Sequence, residues 1–174
     1  VKEILTLISL LSCSCIYSQE TIDSLQIENP LLNIGKKITK ENNFETTKYD
    51  YRGYQYLPAQ RDSILFDGVA FGKVIATVNK RGKIENLSFR RFYSGVDSIY
   101  LNEILNKDFE IIANWISKKY LCDKYGPILQ YGDPRVWNEA TRWMVKKRKV
   151  RLIKSFDQIR SDNKLFNSLE FKIY

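Results

Sequence analysis

The sequence contains no histidine, and this absence excludes more chemistry than any motif present supplies. Ser-His-Asp and Cys-His catalysis both need an imidazole as general base, and the His-containing zinc sites fall with them. Cysteine is scarce as well: Cys13, Cys15 and Cys122 are too few for a four-cysteine metal site. No Gly-rich loop followed by Lys is present to cradle a phosphate. Asp157 to Lys164 holds Asp162 and Asn163 but lacks the central Gly and closing Glu of a calcium loop. The expectation is a protein with no metal and no cofactor, and an enzymatic role is disfavoured.

Long apolar runs are also missing beyond the first twenty residues, VKEILTLISLLSCSCIYSQE. There a single cation, Lys2, precedes an apolar stretch from Ile4 to Leu11 relieved only by Thr6 and Ser9, followed by small residues and a polar end. This is the layout of a secretory signal peptide, and it is too short for a spanning helix of about 20 apolar residues. Cleavage after Ser18, giving a chain that begins at Gln19, is the preferred reading. The alternative is Leu10-Leu11-Ser12-Cys13, which resembles a lipobox and makes Cys13 a lipid anchor. Either version exports the protein without a transmembrane helix. After the Ser18 cut only Cys122 remains, so stability must come from an apolar core rather than a disulfide.

The pattern divides the chain into a signal peptide (residues 1–18), a loosely ordered leader (19–48) and one α+β domain (49–174). From Ser63 to Val78 apolar residues occupy both phases, which suggests a strand or two strands meeting at Gly68 or Gly72. Asn79-Lys80-Arg81-Gly82-Lys83 reads as a hairpin turn, and Ile84 to Tyr93 return as the partner strand. Asp97 or Ser98 then caps a helix whose stripe is Leu101, Ile104, Leu105, Phe109, Ile112, Trp115, Ile116 and Tyr120. The stripe runs as one helix of about 22 residues or divides into two at Asn106-Lys107-Asp108, and either version lays its apolar face on the sheet. Tyr125-Gly126-Pro127 and Tyr131-Gly132-Asp133-Pro134 read as rigid turns after the helix. Beyond them Trp143 with Val145, Val150 with Leu152 and Phe156, and Leu169 with Phe171 and Ile173 alternate inward, a strand pattern. A basic helix over Asn138 to Phe156 is the competing assignment. The expected fold is a mostly antiparallel sheet, built from a hairpin, a long helix and two or three more strands, with the helix packed on one face.

Three features are candidates for function. Tyr49, Tyr51, Tyr54 and Tyr56 cluster around Arg52 and Gln55, with a phase slip at Arg52-Gly53 of the kind a β-bulge produces. Four phenols on a strand can stack against a sugar or an extended peptide; the plainer reading is an edge strand covering the core rim. Second, the formal charge of +8 is concentrated between Arg135 and Lys154, where eight cations face one acid, Glu139. Lys146, Lys147, Arg148 and Lys149 are its densest part, a candidate for binding an anionic surface, against the plainer reading of a solvated hairpin. Nucleic acid is disfavoured, because stacking aromatics are not interleaved with the charge. Third, Trp137 and Trp143 lie beside the Tyr-Gly-Pro turns, as core or as exposed indoles. Cys122 beside Lys118, Lys119 and Lys124 is a nucleophile without a visible base and is read as inert. The pairs Asp62 and Asp67, and Glu103 and Asp108, have no spacing that distinguishes acid–base work from surface charge.

The functional expectation is a non-enzymatic, exported domain of the envelope or the secreted fraction that binds a protein, a glycan or an anionic surface. The alternative is a histidine-free enzyme acting on an envelope polymer.

Overall fold

The computed structural model describes residues 25–38, 44–46, 53–56, 64–95, 97–122, 125–133, 136–157 and 165–174, with the backbone alone at 125–133, 136–137, 157 and 165–166. The proposed signal peptide, Tyr49, Tyr51 and Asp62 lie outside the described residues.

The fold is α+β. Ten strands are present among the described residues: β1 (Phe44–Thr46), β2 (Gly53–Tyr56), β3 (Ile64–Phe66), β4 (Val69–Phe71), β5 (Lys73–Val78), β6 (Ile84–Gly95), β7 (Tyr125–Asp133), β8 (Val136–Val145), β9 (Arg148–Asp157) and β10 (Leu165–Ile173). One helix, α1 (Ser98–Tyr120), separates β6 from β7. Eight strands form one sheet in the order β1-β2-β5-β6-β10-β9-β8-β7, and β3 and β4 form a separate pair. All pairings are antiparallel. The chain therefore crosses by α1 to the far edge and returns through β7, β8 and β9 until β10 closes on β6.

Local chemistry explains the main boundaries. The Asn79 side chain accepts from the backbone N–H of Arg81 at 2.9 Å and of Lys83 at 3.1 Å, and Gly82 takes φ 72°, so the β5–β6 turn forms as expected. The apolar run splits at both glycines rather than one. Asp67 (φ 48°) and Gly68 (φ 84°) make a two-residue hairpin turn between β3 and β4, of the type that favours Asp-Gly, and Gly72 separates β4 from β5. The Asp97 carboxylate accepts from the N–H groups of Ile99 and Tyr100 at 2.9 and 3.1 Å, capping α1.

The helix takes the unbroken alternative, and one expectation is corrected. Helix α1 runs unbroken through Asn106-Lys107-Asp108, because Asp108 points inward and is neutralised there. Tyr125-Gly126-Pro127 and Tyr131-Gly132-Asp133 are strand rather than turn: both lie in β7, with a register shift between Tyr125 and Leu129, and Pro134 lies outside the described residues. An edge strand tolerates Pro127, which has no N–H to donate, and the irregularity absorbs it. Within the stretch read as a leader, a 3-10 turn (Pro30–Asn33) forms and Leu25 and Asn33 are buried. The Asn33 side chain accepts from the Gln26 N–H and donates to the carbonyls of Gln26 and Pro30.

The core lies between the sheet and α1. Phe66 joins the layers, its ring centroid 5.0 Å from Phe89, 5.5 Å from Phe171 and 4.8 Å from Trp115. Trp143, Val150, Leu152, Leu169, Phe171 and Ile173 are all buried on this inner face, as their alternation predicts. Trp143 donates its indole N–H to Ser117 Oγ at 3.0 Å, fixing β8 under α1. Thus β8, β9 and β10 have one face committed to the core, and their alternate residues point the other way.

Candidate functional site: a basic sheet face

The competing helical assignment for residues 138–156 does not hold; β8 and β9 form a hairpin with Val145 paired to Arg148. Its two-residue turn is Lys146-Lys147, with φ 45° and 67°. Left-handed backbone at both central positions is the conformation that Asn-Gly sequences normally supply, so two lysines hold it at a conformational cost. Lys146, Lys147, Arg148 and Lys149 are all exposed.

Cross-strand register decides what lies behind this tip. Arg142 on β8 is the partner of Arg151 on β9, and Arg151 is the partner of Lys172 on β10. Met144 stands opposite Lys149, and Tyr174 joins Lys149 by an N–H to carbonyl bond of 2.9 Å. These residues alternate with the buried Trp143, Val150, Leu152, Phe171 and Ile173, and therefore share the face away from α1. Three cations on neighbouring strands thus lie side by side. Tyr174 is held among them: its hydroxyl is 3.5 Å from an Arg151 guanidinium nitrogen, and the Lys172 ammonium is 5.1 Å from its ring centroid. A cavity of about 410 Å³ opens here, lined by Ala140, Arg142, Met144, Lys149, Arg151 and Tyr174, with Thr141 and Trp143. No carboxylate is among the described residues that line it.

One member of the basic segment is placed differently. Lys154 pairs with Glu139 at 2.6 Å and donates to Asn106 Oδ1 of α1 at 2.7 Å. Its ammonium also sits 4.9 Å from the Phe109 ring centroid. It is an inner-face charge, spent on packing, and does not belong to the exposed patch. A second inner network joins Asp108 to Tyr93, whose hydroxyl donates to Asp108 Oδ2 at 2.8 Å, and to Arg91 Nε at 3.3 Å. Burial, aided by the neighbouring carboxylate, raises the Tyr93 hydroxyl pKa well above its ordinary value.

The other sequence candidates separate. Tyr54 and Tyr56 pair with Ala76 and Val74, both buried, and pack half-buried against the core; the Tyr56 ring lies 5.0 Å from that of Phe44. Trp143 is core, and nothing is described of the Trp137 side chain. Cys122 is half-buried and in no disulfide. Glu103 is exposed while Asp108 is buried, so they do not form a facing pair. Among the described residues no group of three His, Cys, Asp or Glu is placed to hold a metal, and no helix is long and apolar enough to cross a membrane.

Sequence reasoning found the tip and counted Arg142 and Arg151 in the basic segment, but missed Lys172 and Tyr174 and the face that the four residues share. The available signal was their period-two alternation with buried residues: Arg151 falls between Val150 and Leu152, and Lys172 and Tyr174 flank Ile173. No protein family, curated protein or solved structure matches this chain, so the site is read from its own geometry.

Proposed function

We propose that this is an exported, non-enzymatic binding domain of the envelope or secreted fraction, attached to an anionic partner through the β8–β9 hairpin. The observation that carries the reading is the register that stacks Arg142, Arg151 and Lys172 on one face beside the exposed Lys146 to Lys149 tip. A cation near an anionic surface contributes about 1 kcal/mol. Four or five therefore give an attachment near the millimolar range, which suits a partner that presents many charges at once. The described residues that line the cavity are cationic, apolar and hydroxylic, a lining that suits binding of an anion.

The test is retention of the protein on an anionic matrix at low and high salt. Coulombic attachment should weaken steeply as the Debye length falls from about 10 Å at 0.1 M to about 3 Å at 1 M, and should be lost when residues 146 to 149 are neutralised. Retention that survives salt and charge removal but fails in Tyr54→Ala would move the site to the tyrosine strand. Export is tested separately: N-terminal mass spectrometry of the native protein should find Gln19 first. A lipid on Cys13 would give an anchored form instead, and an intact Val1 to Ser18 would refute processing.

A further inference from the structure

Behind the hairpin tip, the recess between β8, β9 and Tyr174 differs from a merely positive surface, and it rests on the reading of the hairpin as an anion-binding element. We infer that this recess is a subsite for one charged sugar unit of a linear anionic polysaccharide, whose chain runs across the strands from β8 towards β10.

Three observations converge on that ligand. First, the cations form a line rather than a cluster. Arg142, Arg151 and Lys172 occupy matched positions on three adjacent strands, and adjacent strands are about 4.8 Å apart. A chain carrying closely repeated anionic groups meets one cation per strand when it lies perpendicular to them. Second, two of the three are arginines, whose planar forks bind carboxylate, sulfate or phosphate oxygens in pairs, whereas a diffuse charge requirement is met equally by lysine. Third, the recess is concave and mixed in character. Met144, Ala140 and the Tyr174 ring contribute apolar wall beside Arg142, Lys149 and Arg151, within a volume of about 410 Å³, the range of small-ligand sites. A sugar ring offers the same mixture of C–H faces and polar edges. A flat bilayer surface meets the convex tip and leaves a recess unfilled. Single-stranded nucleic acid calls for successive aromatic platforms, and Tyr174 is the one aromatic among the described outer-face residues that line this cavity.

The shared chemistry is an acidic sugar; carboxylate and sulfate are its two sources, and the probes separate them. Binding of the full-length processed protein is measured at about 0.1 M salt to polygalacturonate, dextran sulfate, neutral dextran, oligothymidylate and phosphatidylglycerol vesicles, at matched anion concentration. The expected result is binding to one or both anionic polysaccharides in preference to oligothymidylate and vesicles, with none to neutral dextran. Arg142→Gln and Arg151→Gln should each weaken polysaccharide binding about tenfold or more, the loss expected for a charge-assisted pair. Arg142→Lys and Arg151→Lys keep the charge, so a several-fold loss in them identifies paired guanidinium contacts. They also serve where the Gln variants fail to fold, as judged by thermal melts. Stronger binding to vesicles or oligothymidylate overturns the assignment to polysaccharide. If neutralising Lys146 to Lys149 abolishes binding while folded Arg142 and Arg151 variants bind normally, the hairpin reading survives and the subsite is refuted. No binding to any of the anionic probes refutes both.

Discussion

The turn at the tip of β8–β9 offers a test in which stability and binding should move in opposite directions. Lys146 and Lys147 both occupy left-handed backbone, a conformation that costs a residue with a Cβ about 1–2 kcal/mol. Asn-Gly fits the same turn with little strain, so Lys146→Asn/Lys147→Gly should relieve roughly 2–3 kcal/mol in the native state. The added freedom of Gly in the unfolded chain returns about 0.5–1 kcal/mol of that. A net gain of about 1–2 kcal/mol remains, equivalent to a rise of roughly 2–8 °C in Tm for a chain of this size. The same change removes two tip cations, which at about 1 kcal/mol each should weaken attachment to an anionic matrix some 30-fold. Denaturant melts and salt-dependent retention would be measured on this variant and on Lys146→Gln/Lys147→Gln, which loses charge but keeps the strained backbone. The Gln variant should bind as weakly as the Asn-Gly variant without matching its stability. Equal stability in both variants would show that the turn is unstrained. A stabilised Asn-Gly variant with undiminished binding would show that the tip does not touch the partner.

The remaining predictions concern the core that supports this face. Trp115→Ala removes a ring packed against Phe66 and Phe171 and should cost about 3–5 kcal/mol in denaturant melts; a loss under about 1 kcal/mol would displace α1 from the sheet. Tyr93→Phe deletes the bond to the buried Asp108 carboxylate and should cost about 1–3 kcal/mol at neutral pH. Because the folded-state pKa of Tyr93 is raised, its stabilisation is fully present below the ordinary value of 10.0 and is lost as pH rises above it; the Phe variant should therefore show a shallower alkaline decline. Lys154→Met removes the ion pair of Glu139, whose side chain is only 14% exposed, and should cost about 1–3 kcal/mol, whereas Lys154→Met/Glu139→Leu should recover most of the loss. Neither Lys154 variant should alter retention on an anionic matrix, and a change there would place Lys154 in the binding face.

What was legible in the sequence was local. The Asn79 to Lys83 turn, the Asp97 cap and the inward alternation of Val150, Leu152, Phe171 and Ile173 each depend on residues a few positions apart, and each is present. Where the sequence misled, a distant partner changed the meaning of a local signal. Asp108 leaves one helix or two equally readable until Arg91 and Tyr93, from β6, meet its carboxylate inside. Lys154 looks like part of the basic segment until Glu139 meets it across the hairpin. Gly126, Pro127, Gly132 and Pro134 resemble turn punctuation, yet at a sheet edge Pro127 interrupts no obligatory pairing and β7 passes through it. The candidate site is of the same kind. Arg142, Arg151 and Lys172 come from three strands, and only the register of those strands makes them neighbours.

That register bears on whether the basic face is incidental. Like charges directly opposite across strands are destabilising, and the next row of the same face shows the opposite arrangement. There Arg90 and Glu170 are cross-strand partners with an ion pair of 3.0 Å, and Ser88 hydroxyl donates to the same carboxylate. The inner face follows that pattern too, with Arg91 on Asp108 and Lys154 on Glu139. Like charges stand opposite each other where Lys73 meets Arg90, and three in succession do so in the row of Arg142, Arg151 and Lys172, which borders the cavity, the strained two-lysine turn and the exposed tip. Stability alone favours an acid at the position of Arg151, between Arg142 and Lys172. Three positive residues in register instead set like charges side by side, a repulsion that an anion bound along the row would offset.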